Sequence, residues 1–367
     1  MGFDYCFLDF YKMYDYIIIG QGLAGTVLSY LLQKNGKKIL VAEDESPDTA
    51  SAVAAGIYNP ITGKRMVKTW KAGELFPVLE DFYSEMQKEL NTTFLFKRPV
   101  YKPFGSIEEQ NHWISQTSFA DVEDLVNVNI PDKRYSNYIH NQCGGFETFR
   151  SGYLDVSGMV SAFRKQLIKT DSYIRKSFRP IDLEFKNDHI VWNGTQSRRI
   201  IFCEGHKVTA NPFFKWLPFV LAKGELLTVR IKDFEKQAIL NKGVFILPVG
   251  DDIYKIGATY VWDFKDNNIT AEAKEELIIK LEQLIKVPYE ILKQEAGVRP
   301  AVKDRRPIIG LHPQYKTLGI FNGLGTKGVS LAPYFAQKLY DFLENQREID
   351  KEVSIERFKP LYYQLKN

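Results

Sequence analysis

Residues 14–19 read YDYIII, an apolar and β-branched run that predicts a strand buried on both faces. Apolar positions then recur at helical spacing over 26–33 (TVLSYLLQ), Gly36 stops that helix, and 38–42 (KILVA) reads as a second buried strand. Strand, helix and strand in that order predict the opening of a parallel α/β sheet. Further along, a helix is expected over 157–169, capped by Asp155 or Ser157, then short alternating strands to residue 190 and a buried strand over 199–203 (RIIFC). Residues 223–229 (KGELLTV) begin a strand of a different sheet, and 245–248 with 254–260 form the hairpin that follows. A polar–apolar helix covers 274–285. The pattern closes with a strand over 318–322, a turn over 323–328 and an amphipathic helix over 329–343. Residues 75–145 read as mixed helix and loop, rich in aromatics and without a motif.

The loop after the first strand is Gly20-Gln21-Gly22-Leu23-Ala24-Gly25, a complete GxGxxG. Gly20 permits the tight turn, Gly22 lets backbone approach a pyrophosphate, and Gly25 lets helix and strand pack closely. The helix start offers free N–H groups and a positive dipole end to phosphate. Glu43 ends the second strand, about twenty residues past the glycines, where a carboxylate can accept from ribose hydroxyls. These parts in register predict a Rossmann-like dinucleotide-binding domain, and by themselves they do not separate NAD from FAD.

At 367 residues, two domains are expected. The net charge of +4 is small, and Lys and Arg are scattered among acids, which argues against a nucleic-acid partner. The densest basic stretch, 164–179, reads as the solvated side of a helix and the next strand. Cys6, Cys143 and Cys203 are far apart with no CxxC, as in a reduced intracellular protein. The five histidines, His112, His140, His189, His206 and His312, fall in no metal-ligand spacing, so no metal is expected. No apolar run reaches membrane-spanning length, and residues 1–12 lack the features of a signal peptide. The expected localisation is therefore cytoplasmic. Met13 directly precedes the first strand and is the expected natural start.

Near the other end, residues 296–342 read AGVRPAVKDRRPIIGLHPQYKTLGIFNGLGTKGVSLAPYFAQKLYDF. The elements Gly297-x-Arg299-Pro300, Asp304-x-x-Pro307-x-x-Gly310 and Gly323-x-Gly325-x-x-Gly328, with Ala332-Pro333 opening a helix, closely resemble the closing segment of the FAD-dependent amino acid oxidases. That family includes glycine oxidase, sarcosine oxidase and D-amino acid oxidase. With the N-terminal fingerprint, the resemblance brackets nearly the whole chain. It implies an α/β fold: a Rossmann-like FAD-binding domain of the D-amino acid oxidase type, with an inserted mixed β-sheet substrate domain. The expected division gives 13–74, 146–215 and 297–367 to FAD, and 75–145 and 216–296 to the substrate. Some members attach flavin through a cysteine near the arginine. Residues 298–301 hold no thiol, so FAD should be bound noncovalently.

The same resemblance implies site residues. Gly297, Arg299, Gly323, Gly325, Thr326, Lys327 and Gly328 approach the flavin from the C-terminal side. Residues 51–70 (SAVAAGIYNPITGKRMVKTW) look like the loop that passes the flavin, which brings in Ser51, Ala55 and Gly56. Phe178 stands where members use a backbone amide on the adenine, and Gly205 closes the strand near the adenosine and pyrophosphate. Arg299 matches the carboxylate clamp, for which a bidentate guanidinium is suited; the other reading is an ion pair with Asp304. Phe245 and Tyr260 fall at pocket-lining positions, with sheet packing as the alternative for Tyr260. Lys327 either adds positive charge beside the reduced flavin or is an exposed loop lysine. Lys64 and Arg65 read as exposed loop charges, with phosphate or substrate as the other option.

The expected activity is FAD-dependent oxidation of the C–N bond of a small amino acid or N-substituted glycine, giving an imine and then an oxo acid and an amine. Two other readings stay open. The run 323–328 is also similar to the FAD domain of the bifunctional tRNA wobble-uridine enzyme, which acts on carboxymethylaminomethyl-uridine; the methyltransferase domain fused there is not found in these residues. The last is a quinone-linked amino acid dehydrogenase. The expected partner is a small amine or amino acid, with tRNA as the one nucleic-acid exception; the oligomeric state is not written in the sequence.

Overall fold

The computed structural model describes residues 13–45, 49–62, 67–117, 123–127 and 133–364. Residues 1–12, and with them the question of the natural start, lie outside the described residues, as do Lys64 and Arg65. The first sheet is built on four parallel strands in the order Tyr173–Arg175, Ile39–Glu43, Tyr14–Ile19, Thr195–Phe202. The last of these pairs with Ile190–Trp192 near its start, antiparallel, and with Leu318–Asn322 near its end, parallel. The unbroken apolar run of the first strand has a plain cause. Tyr16 and Ile18 point into a core with Val27, Leu28 and Phe335, while Ile17 and Ile19 point into another with Trp192, Phe202 and Phe214. Both faces are covered, so neither can be polar.

The first helix runs over Leu23–Lys34, starting three residues before the apolar periodicity does, because Gly22 serves as its N-cap. Gly36 takes φ +73° just past its end. For the helix Val156–Lys169 the two candidate caps resolve to Asp155, whose carboxylate accepts from the Gly158 amide.

The closing helix spans Gly328–Asn345, close to the expected 329–343, so Pro333 lies inside it and does not open it as the motif implied. A proline there cannot donate to the carbonyl one turn back, that of Val329. The hydroxyl of Tyr83, from the helix Ala72–Glu89, donates to that carbonyl at 3.1 Å within the buried core. Leu75, Phe76, Leu79 and Met86 of the same helix join the core of the first sheet.

The second sheet is mixed and has eight strands, in the order Glu290–Val302, Phe219–Arg230, Ile253–Gly257, Val244–Gly250, Ile239–Lys242, Val100–Pro103, Gly145–Thr148, Val126–Asn127. Leu277 and Leu281 of helix Ala271–Glu282 pack on Leu227, Val229 and Tyr254 of this sheet. The long pairing of Glu290–Val302 with Phe219–Arg230 sets Gly297 opposite Gly224 and Arg299 opposite Ala222. Among the described residues, no helix is long and apolar enough to cross a membrane.

Candidate active site

The glycine loop is shaped by close approach of backbone. Gly20 has φ +98°, and a Cβ there would stand 2.6 Å from the Cys203 carbonyl oxygen. A Cβ on Gly25 would stand 1.9 Å from the carbonyl oxygen of Gly20, so helix and turn pack at a distance only glycine allows. Gly22 has no capping side chain of its own. Ser51 accepts instead from the Leu23 amide at 2.9 Å, and a Cβ at Gly22 would come 2.9 Å from that same hydroxyl. The first turn of the helix carries no acid, which leaves its positive end available to phosphate. Glu43 accepts from the amides of Gln21 at 2.6 Å and of Asp44 at 2.9 Å. Burial raises its carboxyl above the usual range, with the Gln21 amide acting in the opposite direction.

These groups open on a cavity of about 620 Å³. Gly20, Gly22, Leu23, Ala24 and Glu43 form one end of its wall. Ser51, Ala55, Gly56, Phe178 and Gly205 continue it, and Phe245, Tyr260, Gly297, Arg299, Gly325, Thr326 and Gly328 also line it, with Gly328 against Leu23. Asn322 ties the two parallel strand ends together by donating to the Gly205 carbonyl at 2.9 Å. A glycine-lined turn, a bare helix start and a carboxylate at the strand end are what the pyrophosphate and ribose of a dinucleotide require. The cradle fits FAD.

Three of the expected residues stand off the wall. Gly25 lies beneath the turn. Gly323 has φ +77°, and a Cβ there would meet Val302 at 2.9 Å, so it shapes the turn. Lys327 donates from Nζ to the hydroxyls of Thr62 at 3.3 Å and Thr69 at 3.4 Å. Burial lowers the pKa of its ammonium, and Arg305 and Arg306 lower it further.

At the far end of the cavity, the Arg299 guanidinium donates to the Thr259 carbonyl at 3.4 Å and lies 5.4 Å from the centre of the Tyr260 ring. Burial lowers its pKa. Among the described residues no carboxylate pairs with it. Asp304, the acid proposed as an alternative partner, binds Arg357 at 3.1 Å. A guanidinium buried without an acid is costly to keep charged, and a carboxylate placed beside it would relieve that cost.

Gly224 and Thr259 had no role in the sequence reading. A Cβ on Gly224 would fall 2.1 Å from Nη1 of Arg299. The available signal was a glycine inside a β-run, which marks a close approach. Asp44, Glu204 and Lys207 also reach the wall. Lys207 binds both oxygens of Asp44 at 2.7 and 2.5 Å. Glu204 accepts from Asn211 at 2.7 Å, and burial pushes its carboxyl up to about 7. No pattern in the sequence distinguishes these three from ordinary surface charges.

The sequence pattern of the family described as FAD dependent oxidoreductase matches residues 15–341. Over 378 residues the chain is 22% identical to the protein named "Uncharacterized oxidoreductase YurR" of Bacillus subtilis, covering 92% of this chain and 97% of that one. It is 21% identical to the tRNA 5-methylaminomethyl-2-thiouridine biosynthesis bifunctional protein MnmC of Legionella pneumophila, over 81% of this chain but only 45% of that longer protein. In structure it resembles glycine oxidase from Geobacillus kaustophilus, with a TM-score of 0.76 at 18% identity over 92% of this chain and 97% of the other. Iminodiacetate oxidase from Chelativorans sp. BNC1 gives a TM-score of 0.73 at 18% identity over the same shares.

Proposed function

This chain belongs to the family of FAD dependent oxidoreductases, and we propose that it oxidises the C–N bond of a small amino acid or N-substituted glycine, with an oxo acid and an amine as products. The observation that carries this reading is Arg299, a half-buried guanidinium on the cavity wall with no acid beside it among the described residues. A substrate carboxylate is the anion that this geometry suits, because two parallel charge-assisted bonds fix both position and orientation.

Held by these residues, FAD would supply a hydride acceptor for the C–H bond next to the substrate amine. The amine nitrogen gives up its proton to solvent, and water then adds to the resulting imine to release the two products. The protein's part is position and field. Arg299 holds the carboxylate, and Phe245 and Tyr260 line the cavity around the reacting carbon. The start of helix Leu23–Lys34, Ser51 and Glu43 hold the nucleotide end. In this reading residues 13–74, 146–215 and 297–367 serve FAD, while 75–145 and 216–296 serve the substrate, although helix Ala72–Glu89 packs with the first group. Among the described residues, Cys143 and Cys203 are free, which suits the reducing cytoplasm.

A second reading has support from one comparison: a tRNA 5-methylaminomethyl-2-thiouridine biosynthesis protein is among the relatives. In it the substrate is a carboxymethylaminomethyl-uridine within tRNA. The deciding experiment is the visible spectrum of the purified protein under anaerobic conditions, before and after glycine, sarcosine and other small amino acids. Bleaching of the flavin bands by one of them supports the first reading. Bleaching by none of them, but by the modified tRNA, replaces it with the second.

A further inference from the structure

Three acids line the cavity beside the glycine turn, and two of them are compensated within the protein. Glu43 accepts from the Gln21 amide on one oxygen at 2.6 Å, and from the Asp44 and Glu45 amides on the other at 2.9 and 3.2 Å. Asp44 is paired through both oxygens with Lys207. Glu204 differs. The Asn211 side chain donates to its Oε2 at 2.7 Å, and among the described residues no donor reaches Oε1.

The place of this acid is set by the strand Thr195–Phe202, which ends just before Cys203 and Glu204. The first glycine turn packs on that strand end. A Cβ at Gly20 would stand 2.6 Å from the Cys203 carbonyl oxygen and 3.2 Å from the Glu204 Cα. Glu204 therefore lies against the turn whose backbone suits a pyrophosphate, and it lines the same cavity. A pyrophosphate diester keeps both of its negative charges through the neutral range. An ionised carboxylate beside it would repel it, and Lys207, the cation at hand, is already taken by Asp44. A neutral carboxyl has instead an O–H to donate.

We propose that Glu204 holds FAD in its protonated form: a proton taken from solvent sits on Oε1 and is donated in a hydrogen bond to the pyrophosphate, so that loading of the cofactor is linked to the uptake of one proton. The inference rests on FAD occupying the cavity and is independent of the substrate. Without FAD, burial sets this carboxyl at about 7, with Asn211 and Lys207 lowering it and Asp44 and Glu43 raising it. His206 and Lys176 line the same part of the cavity, and of these two only histidine is a residue type that titrates near neutrality.

The test dilutes the holoprotein in steps and reads released FAD by its fluorescence, from pH 6 to pH 9. Above about pH 7 the wild-type Kd for FAD should rise by about tenfold per pH unit, the slope of one proton. In Glu204→Gln the Kd should be flat across the range, while His206→Gln should keep the wild-type slope. Asn211→Ala, which removes the donor that favours the ionised form, should move the onset of the slope to higher pH and serves as the second variant should Glu204→Gln not fold. A wild-type Kd that is flat, or that falls with pH as it would for a carboxylate accepting from ribose hydroxyls, overturns the inference. So does a slope that survives Glu204→Gln or disappears in His206→Gln. A purified protein that holds no FAD at any pH would remove the cofactor reading, and this inference with it.

Discussion

Gly224 lies directly against the Arg299 guanidinium: a Cβ at Gly224 would stand 2.1 Å from Nη1 and 2.2 Å from Nη2. The two belong to adjacent antiparallel strands, with Ala222 as the register partner of Arg299 and Gly224 two residues further on. The absence of a side chain on one strand thus sets where the charge of the other comes to rest.

Gly224→Ala should therefore displace the guanidinium without touching the nucleotide end. FAD content is expected to stay at the wild-type level, while kcat/KM on carboxylate substrates falls by about a hundredfold, the equivalent of roughly 3 kcal/mol of charge-assisted hydrogen bonding. Arg299→Ala should do the same or worse. Turnover unchanged in both variants would remove the carboxylate clamp.

Glu43→Ala should weaken FAD retention. The carboxylate organises the Gln21 and Asp44 amides and faces the cavity, and its loss should raise the Kd for FAD by about tenfold or more. Titration of the flavin-stripped protein, followed by fluorescence quenching, gives the number. An unaltered Kd would leave Glu43 with no part in holding the ribose.

Tyr83→Phe tests the repair of the proline-bearing helix. It removes the hydroxyl that donates to the Val329 carbonyl, which Pro333 cannot serve. A buried acceptor left unmade costs about 1–3 kcal/mol. Denaturant unfolding of the holoprotein should show a loss of that size, with FAD spectrum and turnover near wild type. A stability equal to wild type would mean that water or another donor serves the carbonyl.

Glu204 should make stability depend on pH. Its carboxyl is raised by burial from 4.5 to about 7 in the folded chain, so the folded state holds a proton that the unfolded state has released. Stability contributed by this group is full below about 4.5 and is lost as pH rises through about 7. Glu204→Gln keeps an acceptor for Asn211 and removes the titration. Compared with wild type, the variant should gain Tm from about pH 5 to about pH 7 and level off above that. A difference that is flat across this range would show that Glu204 ionises normally.

Much of the nucleotide end was legible in the sequence, for a physical reason. A GxGxxG between a β-branched strand and an apolar-periodic helix is a local device, in which turn, helix start and strand end lie within some thirty residues of one another. Gly20 and Gly25 are glycines because of backbone contacts made within that unit or with the neighbouring strand end at Cys203, while Gly22 is crowded by the more distant Ser51 side chain. The remote glycines and Arg299 were legible only through the paired C-terminal motif, since spacing alone cannot say that residue 299 meets residue 20 across one cavity.

What the sequence determined by itself, then, is a set of local geometries: buried strands from unbroken apolar runs, a phosphate-binding turn from three glycines, and helices from their period. Tertiary structure decided the rest, through the pairing of segments far apart in the chain. It turned Lys327 toward Thr62 and Thr69, away from the cavity wall. It gave Asp304 to Arg357 and left Arg299 without an acid among the described residues. It seated Arg299 on Gly224 and let Tyr83 serve the Val329 carbonyl that Pro333 cannot. Each of these depends on which strand lies beside which and on the direction a side chain leaves it. Hydrophobic periodicity carries the period of a strand but not its neighbour, and the charge of a residue carries no information about the partner that folding brings to it.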